Sequence, residues 1–241
     1  MRKNKIAAVC LAAGQGKRMQ SKVQKQYLSL GGKPVLFYAL EAMQNSPVEE
    51  IVLVVGEGEE EYCRREIVET YGFSKIKAIV SGGKERYHSV YRGLQTLGEC
   101  DYVLIHDGAR PFLTEGILAR CIAGAVEYEA CVAGMPAKDT IKLADDELNI
   151  ETTPDRSRVW MIQTPQAFRF SLIKEAYDRL ISLEEKGERP TVSVTDDAMV
   201  VEYFLQKKVH LVEGSYENIK LTTPEDMKIA EAFLAQIQSR K

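Results

Sequence analysis

Short apolar runs alternate along the chain with segments of helical periodicity. The runs occupy residues 6–11, 51–55, 76–80 and 102–106, and they are rich in Val, Ile and Leu. Strands that are apolar on both faces and are separated by helices are typical of a mainly parallel sheet covered on both sides. The pattern therefore predicts a three-layer α/β fold with a Rossmann-like, mainly parallel sheet in the middle.

Helical stripes lie between these runs. Apolar side chains recur at spacings of one and four in residues 117–126, and the same spacing returns in residues 172–181. We interpret both stripes as the core-facing sides of helices, and we expect a closing helix near residues 224–237. With 241 residues, the chain has the length of one domain of ordinary upper size, so residues 1–241 are expected to form a single domain.

The pattern changes after residue 136. The stretch 137–158 is polar, with an acidic tip at 145–147 and weakly alternating flanks at 140–143 and 149–152. We expect a projecting β-hairpin arm here. Because a lone two-stranded hairpin is marginally stable in water, the arm should pack on something, and a second subunit is the first candidate.

The composition is that of a soluble globular protein, with 45% hydrophobic and 28% charged residues. No stretch approaches the ~20 uninterrupted apolar residues of a membrane span. The basic N-terminus is followed only by the apolar residues 6–13, which pass directly into a glycine-rich loop. We interpret them as a buried strand rather than a signal peptide, and we expect a cytoplasmic protein with no membrane partner.

Charge and metal-ligating residues narrow the function further. The formal net charge is −3, so no general basic field is available to bind nucleic acid, and any anion site must be a local cluster of Lys and Arg. The five cysteines are scattered without a CxxC pair, which favours buried free thiols. The three histidines are too widely separated to predict a zinc site, and His106 is assigned to packing or hydrogen bonding.

A glycine- and base-rich loop follows the first apolar run. Residues 12–19 read Ala-Ala-Gly-Gln-Gly-Lys-Arg-Met. Glycine lets backbone N–H groups approach phosphate oxygens closely, while Lys17 and Arg18 supply positive charge. The spacing fits neither a Walker loop nor a dinucleotide loop, which needs a third Gly or Ala where Met19 stands. We predict a nucleoside triphosphate site here, with a plain strand-to-loop turn and solvated bases as the alternative.

Three further features point to the same site. Lys25 belongs to the same basic segment, and cations converging on a triphosphate stabilise the charge that develops in phosphoryl transfer. Asp107 ends the fourth apolar run, where open α/β sheets bind ligands, and a single carboxylate aimed at phosphates suits Mg²⁺. A helix-capping role is the alternative for this carboxylate. A second glycine turn, Gly82-Gly83, precedes Ser89 and either contacts a nucleobase edge or simply begins a helix.

The ordered set of motifs resembles the 2-C-methyl-D-erythritol 4-phosphate cytidylyltransferase family of the non-mevalonate isoprenoid pathway. The matching stretches run nearly end to end and comprise residues 12–14, 16–19, 25–27, 82–89, 107–111, 138–142, 155–156, 163–166, 195–197 and 218–220. The resemblance implies a nucleotidyltransferase (GT-A-like) version of the predicted fold. It also implies transfer of a cytidylyl group from CTP to a polyol phosphate, and a homodimer with the arm at its interface.

The resemblance further implies roles for single residues. The expected catalytic residues are Arg18, Lys25 and Lys220. The expected nucleotide-binding residues are Ala12, Ala13, Gly14, Gly16, Gly83, Ser89 and Gly108. The expected polyol-phosphate-binding residues are Thr140, Arg156, Thr164 and Lys220, of which Thr140 and Arg156 lie on the arm that reaches a neighbouring subunit. Asp107 is the expected ligand of Mg²⁺ or another divalent cation.

The chain departs from the family pattern at three positions. The family usually has Pro where Gln24 stands, which predicts a more flexible loop that still carries Lys25. It often has Asp or Ala where this chain has Lys84 and Gly108. An acidic contact at position 84 is therefore not expected, while Gly108 only lacks a methyl group.

Three other functions remain open. Ribitol-5-phosphate cytidylyltransferases share the fold and the nucleotide, but they tend toward Ala-Gly-Gly and His-Asp-Ser-Val-Arg-Pro where this chain has Ala-Ala-Gly and His-Asp-Gly-Ala-Arg-Pro. A nucleotide-binding regulatory protein without activity would not need the retained cations. A dinucleotide-dependent oxidoreductase would need the missing third glycine of the first loop.

Overall fold

The protein is represented by a computed structural model that describes residues 3–14, 16, 19 and 23–239. In these ranges the strands are β1 (Ile6–Ala12), β2 (Ser29–Leu30), β3 (Lys33–Pro34), β4 (Glu50–Val55), β5 (Ile76–Ser81), β6 (Tyr102–Asp107), β7 (Ala130–Pro136), β8 (Leu143–Ala144), β9 (Ile150–Thr152), β10 (Trp160–Arg169) and β11 (His210–Glu213). The helices are α1 (Val35–Gln44), α2 (Glu60–Tyr62), α3 (Arg86–Thr96), α4 (Glu115–Tyr128), α5 (Phe170–Glu185), α6 (Asp197–Leu205) and α7 (Pro224–Ser239). Helix α2 continues as a π-helix at Cys63–Glu69, and 3₁₀ turns lie at Lys25–Tyr27 and Arg156–Arg158.

One large sheet organises the molecule. Its strands follow the order β11–β7–β10–β6–β1–β4–β5. Strand β10 runs antiparallel to both of its neighbours, and the other pairs in this sheet are parallel. The four apolar runs of the sequence are strands β1, β4, β5 and β6, so the predicted mainly parallel sheet is confirmed.

Helices cover both faces of this sheet. In β1, Ala8 and Cys10 point into one apolar core with α1 and α4, whereas Ala7 and Val9 point into a second core with α3, α5 and α6. Successive side chains of a strand point to opposite faces, so a strand covered on both sides must be apolar at every position. This explains the unbroken apolar run and confirms the three-layer α/β arrangement.

The two predicted helical stripes lie in α4 and α5, and α7 supplies the expected closing helix. Most of the stripe side chains are buried, including Cys121 and Ala125 of α4 and Ile173 of α5. Val126 was predicted in the same stripe but is 46% exposed. It lies one residue, or about 100°, round the helix from the buried Ala125 and so leaves the core-facing side.

A smaller apolar cluster attaches α7 to the rest of the molecule. Ala230 of α7 packs with Leu30, Val35, Phe112 and Leu221. The helix begins after Thr223, and the carboxylate of Asp226 accepts hydrogen bonds from the backbone N–H groups of residues 222 and 223 at 2.7 and 2.8 Å. Asp226 lies in the first turn of α7 and reaches back to the residues that precede the helix, as the acidic residue of a capping box does. It therefore ties Thr222 and Thr223 to the start of α7.

Successive strands are added first on one side of β1 and then on the other. The chain moves from β1 to β4 and β5 on one side and then places β6 on the other side of β1. The loops after β1 and β6 consequently diverge, and open α/β sheets bind ligands in the crevice that forms at such a switch point. The glycine-rich loop and Asp107 both stand at this crevice.

The polar stretch after β7 contains the predicted hairpin. Strands β8 and β9 pair antiparallel, and Asp145 at the turn accepts the backbone N–H groups of Glu147 and Asn149 at 3.0 and 2.8 Å. The paired strands are shorter than expected, because residues 140–142 precede β8 without joining it. Leu148 is 86% exposed, and a hairpin with no buried face has little to hold longer strands together.

The expectation of buried free thiols is met at four of the five cysteines. All five cysteines are free thiols, and Cys10, Cys63, Cys121 and Cys131 are buried while Cys100 is half-buried. Burial raises the pKa of Cys63 to about 11 and that of Cys100 to about 12. None of the described helices combines the length and the apolar composition that crossing a bilayer requires.

The close approach of α3 to the sheet predicts a steric effect at Gly93. A Cβ atom at this position would lie 2.5 Å from Val9 Cγ1 and 3.2 Å from Val54 Cγ2. We expect Gly93→Ala to lower the free energy of unfolding by about 1–3 kcal/mol, because overpacking outweighs the better helix propensity of Ala. Urea unfolding followed by circular dichroism measures the change. Gly116→Ala, at an exposed position of α4, is the matched control and should be neutral or stabilising; equal losses in the two variants would contradict the packing explanation.

Candidate active site

The crevice at the switch point contains a cavity of about 550 Å³. Nine of the residues singled out in the sequence line it together: Ala12, Ala13, Gly14, Gly16, Lys25, Gly83, Ser89, Asp107 and Lys220. Arg18 lies outside the described residues. Gly108 does not line this cavity; a Cβ atom there would lie 2.7 Å from Leu36 Cδ1, so the absence of a side chain permits close packing against α1.

A second, smaller cavity of about 280 Å³ adjoins the first. Thr164 lines it, and it shares Arg86, Asp107 and Lys220 with the larger cavity. The two cavities therefore meet at one carboxylate and two cations. Thr140 and Arg156 line neither cavity, since both are exposed on the arm and Arg156 donates a hydrogen bond to the carbonyl oxygen of Lys138 at 3.1 Å.

The side chain of Lys25 lies alongside the glycine-rich loop. Gly16 has a φ of +61°, a conformation that glycine adopts without strain. A Cβ atom at Gly16 would lie 3.4 Å from Lys25 Cγ, and one at Gly14 would lie 3.9 Å from Lys25 Cε. The stem of Lys25 thus runs past the two glycines toward the cavity. Backbone N–H groups and an ammonium group at one wall form a suitable environment for phosphate oxygens.

The second glycine turn packs directly on the first. A Cβ atom at Gly82 would lie 2.4 Å from Ala13 Cβ and 2.8 Å from Ser89 Oγ, so only glycine fits between the two turns. The Ser89 hydroxyl accepts the backbone N–H of Gly83 at 3.0 Å, and Arg92 donates to the carbonyl oxygen of Gly82 at 2.7 Å. Ser89, in the first turn of α3, therefore stabilises this glycine turn. Ser89 also belongs to the lining of the cavity.

Asp107 stands among three cations. Its Oδ2 atom lies 2.8 Å from Lys220 Nζ and 3.9 Å from Arg110 Nε, and its Oδ1 atom lies 3.5 Å from Arg86 Nε. Burial alone would raise the pKa of the carboxyl, but the charges of Arg86, Lys220 and Arg110 hold it well below its usual range. Asp107 is consequently ionised at neutral pH. It caps no described helix, since it ends β6 and faces the cavity.

Arg86 links this carboxylate to a second, fully buried one. Its two terminal nitrogens each donate to an oxygen of Asp197 at 2.8 Å, and Tyr177 donates to the same carboxylate at 2.5 Å. A bidentate arrangement fixes the plane of the guanidinium group. Burial would lower the pKa of Arg86, but the carboxylates of Asp197 and Asp107 raise it well above its ordinary value.

Arg86 was not among the residues predicted for the site, although it lies in the stretch 82–89 that resembles the family. Its partner Asp197 is 111 residues away, so no local pattern relates the two. Tyr177 was interpreted as core, which is correct for its ring, but its hydroxyl group also belongs to this network.

His106 is buried beside the carboxylate and serves as a hydrogen-bonding residue, as expected. Its Nδ1 atom lies 3.1 Å from Thr164 Oγ1 and its Nε2 atom lies 3.3 Å from the carbonyl oxygen of Arg110. A carbonyl oxygen can only accept, so the imidazole proton is assigned to Nε2 and Nδ1 is left as an acceptor. The Thr164 hydroxyl therefore donates to Nδ1 while its oxygen accepts the N–H of Asp107 at 3.0 Å. Burial lowers the pKa of His106 to about 4, and the ring is neutral at pH 7.

Lys220 is carried by an irregular segment that side chains tie to the sheet. Arg110 donates to the carbonyl oxygen of Asn218 at 2.7 Å, and the amide of Asn218 donates to the carbonyl oxygen of Thr164 at 2.9 Å. The next residue, Leu221, donates its N–H to Ala109 at 2.9 Å. Lys220 therefore reaches Asp107 from a backbone that is anchored on both sides.

The described residues could supply only part of the coordination shell of a hard divalent cation. Among the described residues, no group of three or more His, Cys, Asp or Glu side chains could hold a metal alone. Asp107 offers one ionised carboxylate at the cavity wall, and Mg²⁺ in nucleotide sites uses one or two carboxylates together with phosphate oxygens and water. The residues fit such a shared site, in which most ligands come from a bound phosphate.

The profile of the 2-C-methyl-D-erythritol 4-phosphate cytidylyltransferase family matches residues 6–236 of the chain. The chain belongs to this family. A 2-C-methyl-D-erythritol 4-phosphate cytidylyltransferase of Lachnoclostridium phytofermentans is 48% identical over 234 residues, 97% of this chain and 98% of that protein. One of Lachnospira eligens is 50% identical over 228 residues, 94% of this chain and 98% of that protein.

Solved structures agree with this assignment. A 4-diphosphocytidyl-2C-methyl-D-erythritol synthase of Anaerococcus prevotii superposes with a TM-score of 0.83 at 35% identity, and the match covers 96% of each chain. A 2-C-methyl-D-erythritol 4-phosphate cytidylyltransferase of Thermus thermophilus gives a TM-score of 0.74 at 29% identity over 95% of this chain and 98% of the other. The expected family and its α/β fold are therefore confirmed, and the chain is a member of a family of cytidylyltransferases.

Proposed function

We propose that the protein transfers the cytidylyl group of CTP to 2-C-methyl-D-erythritol 4-phosphate, a step of non-mevalonate isoprenoid biosynthesis. The products are 4-diphosphocytidyl-2-C-methyl-D-erythritol and pyrophosphate. The observation that carries the proposal is the meeting of two cavities at Asp107, Arg86 and Lys220, one beside the glycine-rich loop and one beside Thr164. A nucleotide and a phosphate-bearing acceptor both need to reach one point for such a transfer.

The larger cavity is the proposed CTP site. The triphosphate would lie along Gly14 and Gly16, with Lys25 and Arg18 as its cations, and the cytidine would lie toward Ala13 and the turn at Gly83. Backbone groups at two touching turns offer donors and acceptors to a nucleobase edge. The packing of Gly82 on Ala13 supports this placement because it fixes the distance between the two turns.

The smaller cavity is the proposed polyol phosphate site. Thr164 and Lys220 line it, and Arg110, also in its lining, has a buried Nε atom without a hydrogen-bond partner among the described residues. This donor lies 3.9 Å from Asp107 Oδ2, beyond hydrogen-bonding distance, so it can still donate to an anionic guest. Lys220 stands at the boundary of the two cavities and can contact either phosphate.

The proposed chemistry needs no general base. A phosphate monoester has a second pKa near ~6, so its oxygen is a ready nucleophile at neutral pH. The protein must instead relieve the repulsion between two anions and align the attacking oxygen with the α-phosphorus. Lys25, Lys220 and Arg86 supply positive charge around that point, while the neutral His106 keeps Thr164 in place. Bound Mg²⁺, held by Asp107, would neutralise further negative charge on the triphosphate.

The arm is proposed to complete the site of a second subunit in a homodimer. Thr140 and Arg156 are exposed and line neither cavity of their own chain. The arm also exposes apolar side chains, with Leu148 at 86% and Ile150 at 63%. An exposed hairpin with apolar and cationic side chains fits a role at an interface between copies of this chain.

Substrate preference tests the proposed reaction directly. Release of pyrophosphate from CTP is measured with 2-C-methyl-D-erythritol 4-phosphate and, in parallel, with ribitol 5-phosphate. We expect kcat/KM to be at least about tenfold higher with the methylerythritol phosphate, because one mismatched group in a built pocket costs about 1–3 kcal/mol. Equal or reversed preference would favour the ribitol alternative, and CTP binding without pyrophosphate release would favour a regulatory protein.

Metal titration tests the role of Asp107. We expect Asp107→Asn to raise the Mg²⁺ concentration required for half-maximal rate by at least about tenfold, since the variant loses the charge that binds the metal. The rate is followed as a function of Mg²⁺ at saturating CTP. Asp178→Asn, which changes a half-buried carboxylate of α5 that lines neither of the two cavities, is the control. An unchanged metal requirement in Asp107→Asn would exclude the proposed ligand.

Subunit mixing tests the arm. Arg156→Ala and Lys220→Ala variants are expected to be nearly inactive alone, whereas an equal mixture exchanged through mild dissociation should regain about a quarter of wild-type activity. Half of the dimers would then contain one subunit of each variant. In each of these mixed dimers one of the two sites would have both residues intact. A mixture as inactive as its components would show that Arg156 does not complete the site of a second subunit.

A further inference from the structure

Lys25 lies in a 3₁₀ turn, and the side chains of the residues around it are hydrogen bonded to two different parts of the molecule. Gln26, which is 1% exposed, donates its amide to the carbonyl oxygen of Ala12 at 2.5 Å, at the very end of β1. The same amide group also hydrogen bonds to the side-chain oxygen of Gln24. One side of the turn is thereby attached to the sheet.

Glu59 attaches the other side. This residue lies in the loop between β4 and α2, and its carboxylate accepts three hydrogen bonds. The donors are the Tyr27 hydroxyl at 2.8 Å, the backbone N–H of Gly56 at 3.0 Å and the side-chain amide of Gln24. Gln24 directly precedes Lys25 and Tyr27 follows it two residues later, while the backbone N–H of Gly56 fixes the carboxylate to its own loop.

These contacts form one continuous network around Lys25. It runs from Ala12 through Gln26 and Gln24 to Glu59, and returns to the turn through Tyr27. The backbone bonds of the turn itself are few, from Tyr27 N to Gln24 O at 2.9 Å and from Leu28 N to Lys25 O at 3.3 Å. A single 3₁₀ turn has little stability of its own, so side-chain contacts must define its position.

Glu59 acts at a distance from the cavity. It is absent from the lining of the 550 Å³ cavity, although Lys25 belongs to that lining. It lines instead a neighbouring cavity of about 710 Å³, together with Gln24 and Gly56. Glu59 therefore contacts the residues around Lys25 and not the cavity itself.

We propose that Glu59 is a positioning residue for Lys25: its carboxylate fixes Gln24 and Tyr27, and thereby aims the lysine ammonium into the cavity. The effect on rate rests on the proposed function, in which Lys25 contacts the triphosphate. The anchoring of the turn does not rest on it. Misplacement of a catalytic group by about 1 Å can cost a hundredfold in rate, so such a residue is important without touching substrate.

Glu59→Ala is the first test. We expect kcat for pyrophosphate release to fall about ten- to a hundredfold, with the melting temperature within a few degrees of the wild type. Glu61→Ala, which removes an exposed carboxylate two residues away, is the matched control and should keep full activity. Tyr27→Phe removes one of the three donors and should give a smaller loss in the same direction. A Glu59→Ala enzyme within twofold of the wild type would overturn the proposal.

A double-mutant cycle with Lys25 separates positioning from general damage. If Glu59 acts through Lys25, Glu59→Ala should change the residual activity of Lys25→Ala less than about threefold, because the group it positions is already missing. A structural defect would lower the residual rate of Lys25→Ala by the same factor as in the wild type, and that result would overturn the proposal. Should Glu59→Ala fail to fold, the same cycle with Tyr27→Phe decides the question.

Hydrogen exchange tests the anchor without an enzyme assay. The amides of Tyr27 and Leu28 should exchange at least about tenfold faster in Glu59→Ala than in the wild type, whereas those of β1 should not change. Unchanged exchange at these two amides would refute the anchoring step. If the wild type released no pyrophosphate with either polyol phosphate, the proposed reaction would fail, yet the exchange result would still confirm or refute the anchor.

Discussion

The register between β1 and β6 is the constraint on which the site depends. The two strands pair in parallel with Leu11 opposite Asp107, so the glycine-rich loop begins beside the point where the carboxylate emerges. A slip of one residue would turn Asp107 to the other face of the sheet. Ala7 and Val9 fill one core while Ala8 and Cys10 fill the other, and the close packing of both cores opposes such a slip. The packing of a strand thus sets the geometry of the chemistry at its end.

Charge balance is the second requirement. A site for two phosphates needs several cations in a small volume, and these cations repel one another before the phosphates arrive. Asp107 offsets that repulsion, since it pairs with Lys220 at 2.8 Å and lies near Arg86 and Arg110. Asp197 does the same for the far side of Arg86. The bidentate contact with this buried carboxylate fixes the plane of the guanidinium group, and Arg86 lines both cavities.

The sheet and the place of Asp107 could be predicted from the sequence because both follow from local periodicity and from strand ends. The networks that orient the site could not, since they join residues that no local pattern relates. Arg86 and Asp197 are 111 residues apart, and Tyr27 and Glu59 are 32 apart. The strands of the arm were overestimated for a related reason. Alternation predicts a strand only where a face is buried, and the arm of a single chain buries neither face.

Lys25 and Lys220 share one structural property: each is carried by an irregular segment that side chains attach to the sheet. At Lys25 this also explains how the chain dispenses with the proline usual in its family. Gln24 has a φ of −63°, close to the value of about −65° that a proline ring imposes. A ring restrains the folded and the unfolded chain alike, whereas the bond from Gln24 to Glu59 exists only in the folded one. In this chain a side-chain contact supplies the restraint that a proline ring supplies in the backbone. The proposed orientation of the lysine therefore depends on the loop after β4.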